Sequence, residues 1–87
     1  MSTQKIPIKL GDKLQAIRLY LGYTLEEMAT AVGKDGKSRR ARVYEWEKGI
    51  RTPDYRCLLA YARLANVSTD ELIDDTIHLD LQEYQKR

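Results

Sequence analysis

The sequence has almost none of the residues on which several classes of site depend. Its 87 residues include one cysteine, Cys57, and one histidine, His78, so no internal disulfide can form and a zinc site lacks ligands. No nucleophile, base or metal-ligand cluster is recognisable around His78, and we expect no enzyme, cofactor or metal site. No apolar run approaches the ~20 residues of a membrane span, and the polar N-terminus is unlike a signal peptide. A cytoplasmic protein is therefore expected.

The net charge is only +2, yet the two signs are separated along the chain. Eight basic residues against four acidic ones lie between Lys34 and Arg56, whereas residues 70–83 contain six acidic residues and no lysine or arginine. This distribution predicts one face for a polyanion and another face that avoids it. An ordinary solvated surface of mixed charge is the alternative.

Helix signals recur at short intervals in the first half of the chain. Apolar residues at helical spacing predict a first helix over about 10–21, ending before Gly22. Thr24 and Glu27 form a capping box, in which each side chain can bond the other residue's backbone amide. The second helix therefore begins after Thr24 and stops at Gly33, followed by a turn.

The second half of the chain predicts three more helices. Ser38 is the expected N-cap of the third helix, which ends at Gly49. Asp54 is the expected N-cap of the fourth, and Asn66 suits the left-handed position at its end. A second capping box begins at Ser68 and opens a short fifth helix. The fold class is therefore all-α, a bundle of five short helices.

The two ends of the chain have a different pattern. Residues 5–10 and 77–81 alternate apolar and polar side chains in part, as a strand does, and could pair within the chain or across a dimer. Two frayed tails are the alternative. We expect an N-terminal arm over 1–9, a helical domain over 10–74 and an acidic tail over 75–87, the tail serving as a strand or a dimer contact.

Two short helices joined by a turn, the second beginning with a run of arginines, are typical of a helix-turn-helix. Over residues 10–74 the chain resembles the Cro/phage-repressor (XRE-like) family. The resemblance depends on motifs in a fixed order, namely Leu10-Gly11-Asp12-Lys13-Leu14, Ile17-Arg18, Gly22-Tyr23-Thr24-Leu25-Glu26-Glu27-Met28-Ala29, Val43-Tyr44-Glu45-Trp46-Glu47-Lys48-Gly49, Arg51-Thr52-Pro53, Leu58-Leu59-Ala60-Tyr61-Ala62 and Asn66-Val67-Ser68-Thr69-Asp70-Glu71-Leu72. It implies a lambda-repressor-like domain that binds double-stranded DNA and regulates transcription, as a repressor.

The sequence departs from this family at two places. About four extra residues lie between Gly33 and Val43, so either the turn is longer or the third helix begins one turn earlier. Leu25 stands where the family often has a glutamine that contacts phosphate, which removes that contact here.

The N-terminal part of a recognition helix lies over base edges in the major groove. The expected base contacts are Arg39, Arg40, Arg42, Tyr44 and Glu45. Arginine can donate two hydrogen bonds to one guanine, so guanines are expected in each half-site, although one of the three arginines should bind phosphate instead. Glu45 either accepts from a cytosine or orients an arginine.

Other residues are expected to hold the DNA backbone or the fold. The expected phosphate contacts are Lys34, Lys37, Ser38, Lys48, Arg51 and Thr52. Trp46 falls three residues after Val43 and is expected in the core, and the family resemblance implies that Arg18 and Glu47 face each other. Helix contacts with the hydroxyl at the surface are expected of the remaining prominent aromatic residues, Tyr20, Tyr23, Tyr55 and Tyr61.

The leading functional hypothesis is a homodimeric regulator bound to an inverted repeat, because one helix covers only a few base pairs. An antitoxin that represses its own operon while its C-terminal tail binds a toxin is a close alternative. A protein-interaction adaptor on the same fold would not need the arginine-rich helix start. An RNA-binding protein should have exposed aromatic residues for stacking on bases.

Overall fold

The structure, a computed structural model, describes residues 9–79 and 81 of the chain. The described residues form five helices and no strand, which confirms the all-α prediction: α1 Leu10–Leu21, α2 Leu25–Ala31, α3 Arg39–Glu47, α4 Tyr55–Ala65 and α5 Thr69–Ile73. None of these helices is long and apolar enough to cross a membrane.

The segments with strand-like alternation fall at the limits of the described residues. Residues 5–8 of the first segment lie outside them. In the second, residues 77–79 and 81 have no regular secondary structure, and Leu79 and Leu81 pack against the core. The described part of this segment is therefore neither a strand nor a frayed tail.

Most of the predicted helix caps are present. The Thr24 hydroxyl accepts from the Glu27 amide at 3.0 Å, and the Glu27 carboxylate accepts from the Thr24 amide at 2.8 Å. Ser68 heads an equivalent capping box, and Asp54 accepts from a backbone amide one turn into α4. The prediction for Ser38 is wrong in one respect, because its side chain makes no capping hydrogen bond.

The core lies between all five helices, each of which contributes at least one buried side chain. Its buried apolar members are Leu14, Ile17, Met28, Ala29, Val32, Val43, Trp46, Cys57, Tyr61, Ala62, Ala65 and Leu72. Trp46 meets Tyr61 edge to face, with ring centroids 6.3 Å apart and 69° between the ring planes. Trp46 is therefore a core residue, as expected, and it fixes the inward face of α3.

Tyr61 does not follow the sequence-based expectation, because its hydroxyl is buried rather than at the surface. The residue is fully buried, and among the described residues the Tyr61 hydroxyl has no hydrogen-bond partner. Burial raises the pKa of this phenol, since the charged form would lose its hydration. Tyr55 departs in the opposite direction, since 73% of it is exposed.

The start of α1 lies directly against the end of α3. A Cβ atom at Gly11 would lie 2.6 Å from the Glu47 carbonyl oxygen and 2.9 Å from that of Trp46. Only glycine permits this approach. The Arg18 guanidinium donates to both carboxylate oxygens of Glu47, at 2.6 Å and 3.1 Å, and to the Tyr23 carbonyl. The pair expected from the family resemblance is thus in place, and the hydrogen bonds to Glu47 raise the pKa of Arg18.

A second link, which the sequence did not indicate, joins α1 to the C-terminal segment. Lys13 is fully buried, and its ammonium group donates to the carbonyl oxygens of Glu71, Asp74 and Ile77 at 2.6, 2.9 and 2.7 Å. The Glu71 carbonyl lies in the last turn of α5, where carbonyls have no partner within the helix, whereas those of Asp74 and Ile77 belong to the turn that follows. Lys13 therefore anchors α5 and the turn that follows it.

Candidate nucleic-acid interface

The two helices of the motif are joined by a connection that is longer than usual for the family. Because α2 ends at Ala31 and α3 begins at Arg39, the extra residues lengthen the connection instead of extending α3 by a turn. Gly33 and Gly36 take positive φ values of 97° and 91°, which other residues rarely adopt. The Lys34 amide bonds the Ala29 carbonyl at 2.9 Å and so closes the end of α2.

The buried residues of α3 show which side of the helix faces the core and which sides face solvent. Val43, Trp46 and Glu47 point inward, and at about 100° per residue Arg39 shares their side of the helix. Ala41 and Tyr44 lie on the opposite, exposed side. The flanks carry the remaining basic residues, Arg40 beside Tyr44 and Arg42 on the other edge.

The arginines of α3 differ in what they contact. Arg40 and Arg42 are exposed, and within the described part of the chain no hydrogen bond or ion pair ties either guanidinium. Arg39, in contrast, is partly covered and contacts α2. Its guanidinium lies 2.9 Å from the Glu26 carboxylate and donates to the Thr30 hydroxyl at 3.2 Å. The structure thus leaves two of the three arginines free for a ligand.

Glu45 forms an ion pair with Arg51 at 2.9 Å, and its backbone carbonyl accepts from the amides of Ile50 and Arg51. In the free protein the Glu45 carboxylate therefore orients an arginine, which is one of the two roles expected for it. This pair holds the loop after α3 against the helix, which places Arg51 beside the exposed face.

Two open clefts flank Arg42. One is lined by Lys34, Arg42, Trp46, Arg51, Thr52 and Asp54. The other is lined by Gly33, Lys34, Asp35, Ser38, Arg39 and Arg42. Most of the residues expected to bind phosphate are thus brought together around Arg42, on one edge of α3.

Lys37 and Lys48 line neither of these clefts. Lys48 follows α3, and its ammonium group lies 5.7 Å from the centre of the Tyr44 ring, within range of a cation–π contact. Lys37 is exposed in the long connection. Leu25, which replaces the family's usual glutamine, is partly buried and packs against the core.

Lys34 has one acidic neighbour, at the start of α4. Its ammonium group lies 3.4 Å from the Asp54 carboxylate, and both side chains remain accessible. The Cys57 amide that Asp54 caps lowers the pKa of this carboxyl, with a further contribution from Lys34. Asp54 therefore stays ionised and holds Lys34 at the mouth of the first cleft.

Comparison with known proteins identifies the arrangement. The model of a helix-turn-helix family matches residues 14–72, which is more than half of the chain. The chain belongs to this helix-turn-helix family, of the XRE type. A comparison of the sequence with curated proteins finds no match.

One solved structure has the helix-turn-helix fold seen here. The P22 c2 repressor protein, in complex with synthetic operator 9T in the presence of Tl⁺, superimposes with a TM-score of 0.67. The two sequences are 22% identical, over 78% of this chain and 97% of that chain. At this identity the likeness shows the fold, and it confirms the predicted lambda-repressor-like architecture. Family and fold are those of DNA-binding regulators, which are typically not enzymes.

Proposed function

We propose that this helix-turn-helix protein binds double-stranded DNA sequence-specifically, with α3 in the major groove, and represses transcription. The observation that carries the proposal is the exposed first turn of α3, where Arg40 and Arg42 are free of intramolecular partners among the described residues. A domain that kept the fold for protein contacts alone would gain nothing from these charges. The proposed activity is binding without a chemical step, and it takes place in the cytoplasm.

We assign base reading to Arg40, with Tyr44 beside it. The two residues are four apart and therefore share one side of α3. Ala41 lies between them and the opposite edge, and its small side chain permits close approach to the groove and contact with a thymine methyl group. Arg40 can donate two hydrogen bonds to O6 and N7 of a guanine, a contact worth about 1–3 kcal/mol against a wrong base.

Phosphate binding is assigned to the edge of α3 that carries Arg42. This residue lines both clefts together with Lys34, and Arg51 and Thr52 line the first. Each cleft also contains one carboxylate, but cations outnumber it, and this excess of positive charge suits a backbone phosphate. Such a contact carries no sequence information but fixes the register of the helix. Arg42 is thus the arginine that we assign to the backbone, and Ser38, which lines the second cleft, extends the same contact. Lys37 and Lys48 lie outside both clefts, and we assign them to phosphates elsewhere along the backbone.

We further propose that two copies bind one inverted repeat. One α3 covers only a few base pairs, and a second copy doubles the contacts. On the surface of α5, Ile73 is 57% exposed, and this helix directly precedes the segment over 75–87 for which a dimer contact is expected from the sequence. Light scattering in the presence and absence of DNA would measure the mass, and Ile73→Glu should leave a monomer that still folds.

Selection from random duplex DNA tests the proposed function. We expect enrichment of an inverted repeat with a guanine in each half-site. Arg40→Ala should lose discrimination at one base pair per half-site by about 1–3 kcal/mol, whereas Arg42→Ala should weaken all duplexes alike and reduce the salt slope by about one for each bound copy, or about two on an inverted repeat. Arg63→Ala, which removes an exposed arginine near the end of α4, is the matched control and should change neither quantity.

Two results would contradict the proposal. If no sequence is enriched although binding is tight and salt-dependent, the protein contacts only the DNA backbone. If duplex DNA is not bound at moderate salt, the helix-turn-helix has lost DNA binding and serves protein contacts instead.

A further inference from the structure

Arg39 is the most constrained arginine of the interface. Its guanidinium has acceptors in two segments of the chain: Glu26 at 2.9 Å and Thr30 at 3.2 Å on α2, and the Gly36 carbonyl at 2.8 Å in the connection. Only 29% of its side chain is exposed. Each of its three nitrogens therefore has an oxygen partner, and the planar fork holds them in a fixed geometry.

These contacts replace local interactions that α3 lacks at its start. Ser38 precedes the helix but makes no side-chain capping bond, and its φ and ψ of −93° and 4° are not those of a capping residue in extended conformation. The connection before it contains two glycines with positive φ, which resist bending less than other residues would. The Arg39 amide reaches the Gly36 carbonyl only at 3.4 Å. The side chain of Arg39 thus links α2, the connection and the first turn of α3 through three polar contacts.

We infer that Arg39 is a positioning residue, which sets the orientation of the first turn of α3 through Glu26 and Thr30 and does not read a base. The inference rests on the proposed DNA-binding function, and it replaces the base contact expected from the sequence. Arg40 is the next residue along the chain, so a rotation of this turn would displace the guanidinium assigned to base reading. Glu26 offsets the charge of Arg39, which leaves little attraction for a phosphate.

A double-mutant cycle between Arg39 and Glu26 tests the inference. Arg39→Ala, Glu26→Gln and the double variant are compared on the selected duplex and on a scrambled duplex of the same length. Each variant should bind the selected duplex about tenfold more weakly, equivalent to ~1.4 kcal/mol. The double variant should be no weaker than either single one. Because Arg39 contacts no phosphate, the salt slope should not change, and binding to the scrambled duplex should change only by the small general effect of the altered charge, which a charge-matched control measures.

Asp12→Asn is the matched control for Glu26→Gln. It also removes one exposed acidic charge from the first turn of a helix, and Asp12 lines neither cleft and has no hydrogen bond or ion pair with the described residues. Any general gain in affinity from the lost charge appears in both variants, so their difference isolates the contact with Arg39.

The outcomes separate a positioning residue from a base-reading one. If Arg39 positions α3, Arg39→Ala weakens discrimination at the same base pair as Arg40→Ala, and the two changes are not additive. If Arg39 reads a base, its removal relaxes a different base pair, and Glu26→Gln strengthens binding by freeing the guanidinium. The second pattern would overturn the inference.

Spectra of the free protein test the contact independently of DNA. Arg39→Ala and Glu26→Gln should shift the amide signals of residues 36–41 in the same direction, while both proteins keep the wild-type fold. Unchanged signals in Glu26→Gln would overturn the inference even if DNA binding is as proposed. Absence of DNA binding by the wild-type protein, with the shifts present, would instead count against the proposed function alone.

Discussion

Replacing Lys13 with methionine should remove the anchor between α1 and the end of α5. Methionine fills a similar volume but donates no hydrogen bond, so three carbonyl oxygens lose the ammonium donor, although that of Asp74 still accepts from the Ile77 amide. Hydrogen bonds to a charged group contribute about 1.5–3 kcal/mol each, yet these three share one ammonium group whose desolvation opposes them. We therefore expect Lys13→Met to lower the free energy of unfolding by ~3 kcal/mol.

This loss is large for a domain of 87 residues, whose total stability is expected at roughly 4–13 kcal/mol. A change of that size corresponds to a fall in Tm of roughly 12–24 °C for a chain of this length. Urea and thermal unfolding followed by far-ultraviolet circular dichroism would measure it. Amide hydrogen exchange should accelerate first in residues 69–77, which lose the anchor.

Lys9→Met is the matched control, because Lys9 is exposed and stands four residues before Lys13, at the N-cap of the same helix. A surface substitution of this kind should change the stability by less than about 0.5 kcal/mol. A free energy of unfolding for Lys13→Met within about 0.5 kcal/mol of the wild-type value would contradict the anchoring role of Lys13. An equal loss of stability in Lys9→Met would contradict it too.

Three further substitutions test the packing and the electrostatics. Gly11→Ala should lower the free energy of unfolding by roughly 1–3 kcal/mol, because the added Cβ would lie 2.6 Å from the Glu47 carbonyl oxygen. Alanine alone favours a helix, so a more stable variant would contradict the close approach. Tyr61→Phe should raise the free energy of unfolding by ~1 kcal/mol, because it removes a buried hydroxyl that has no partner among the described residues. Urea unfolding would measure this, and a less stable variant would mean that the hydroxyl forms a hydrogen bond. The pKa of Asp54 is lowered in the folded protein, chiefly by the Cys57 amide, so its contribution is complete above the unfolded carboxyl pKa and is lost as the pH falls through the folded value. Asp54→Asn keeps a hydrogen-bond acceptor without the charge, so the free energy of unfolding should fall less steeply as the pH is lowered. Urea unfolding at a series of pH values would measure this, and an unchanged pH dependence in acid would contradict it.

The sequence predicted the helices well because their ends depend on local chemistry. The first helix occupies the predicted residues, and the capping boxes at Thr24 and Ser68 form as expected, since each involves residues three apart. Asn66 takes the left-handed conformation at φ 60°. Such signals need no knowledge of the rest of the fold.

The interactions that were missed join residues far apart or depend on which way a helix faces. The acceptors of Lys13 lie 58, 61 and 64 residues further along the chain, and they are backbone carbonyls, which any sequence would supply. The orientation of Arg39 did have a signal, because it stands four residues before the buried Val43. All three arginines were nevertheless expected to contact DNA, and a contact between Arg39 and α2 was not considered.

The most direct test of the central claim is a titration of the isotope-labelled protein with the selected duplex, followed through its backbone amide signals. We expect the largest changes in the amide signals of residues 34–52, which contain the connection, α3 and the loop after it. The signals of α5 should change little except at a dimer contact. Changes concentrated on α4 and α5, or equal responses to the selected and the scrambled duplex, would contradict sequence-specific DNA binding by α3.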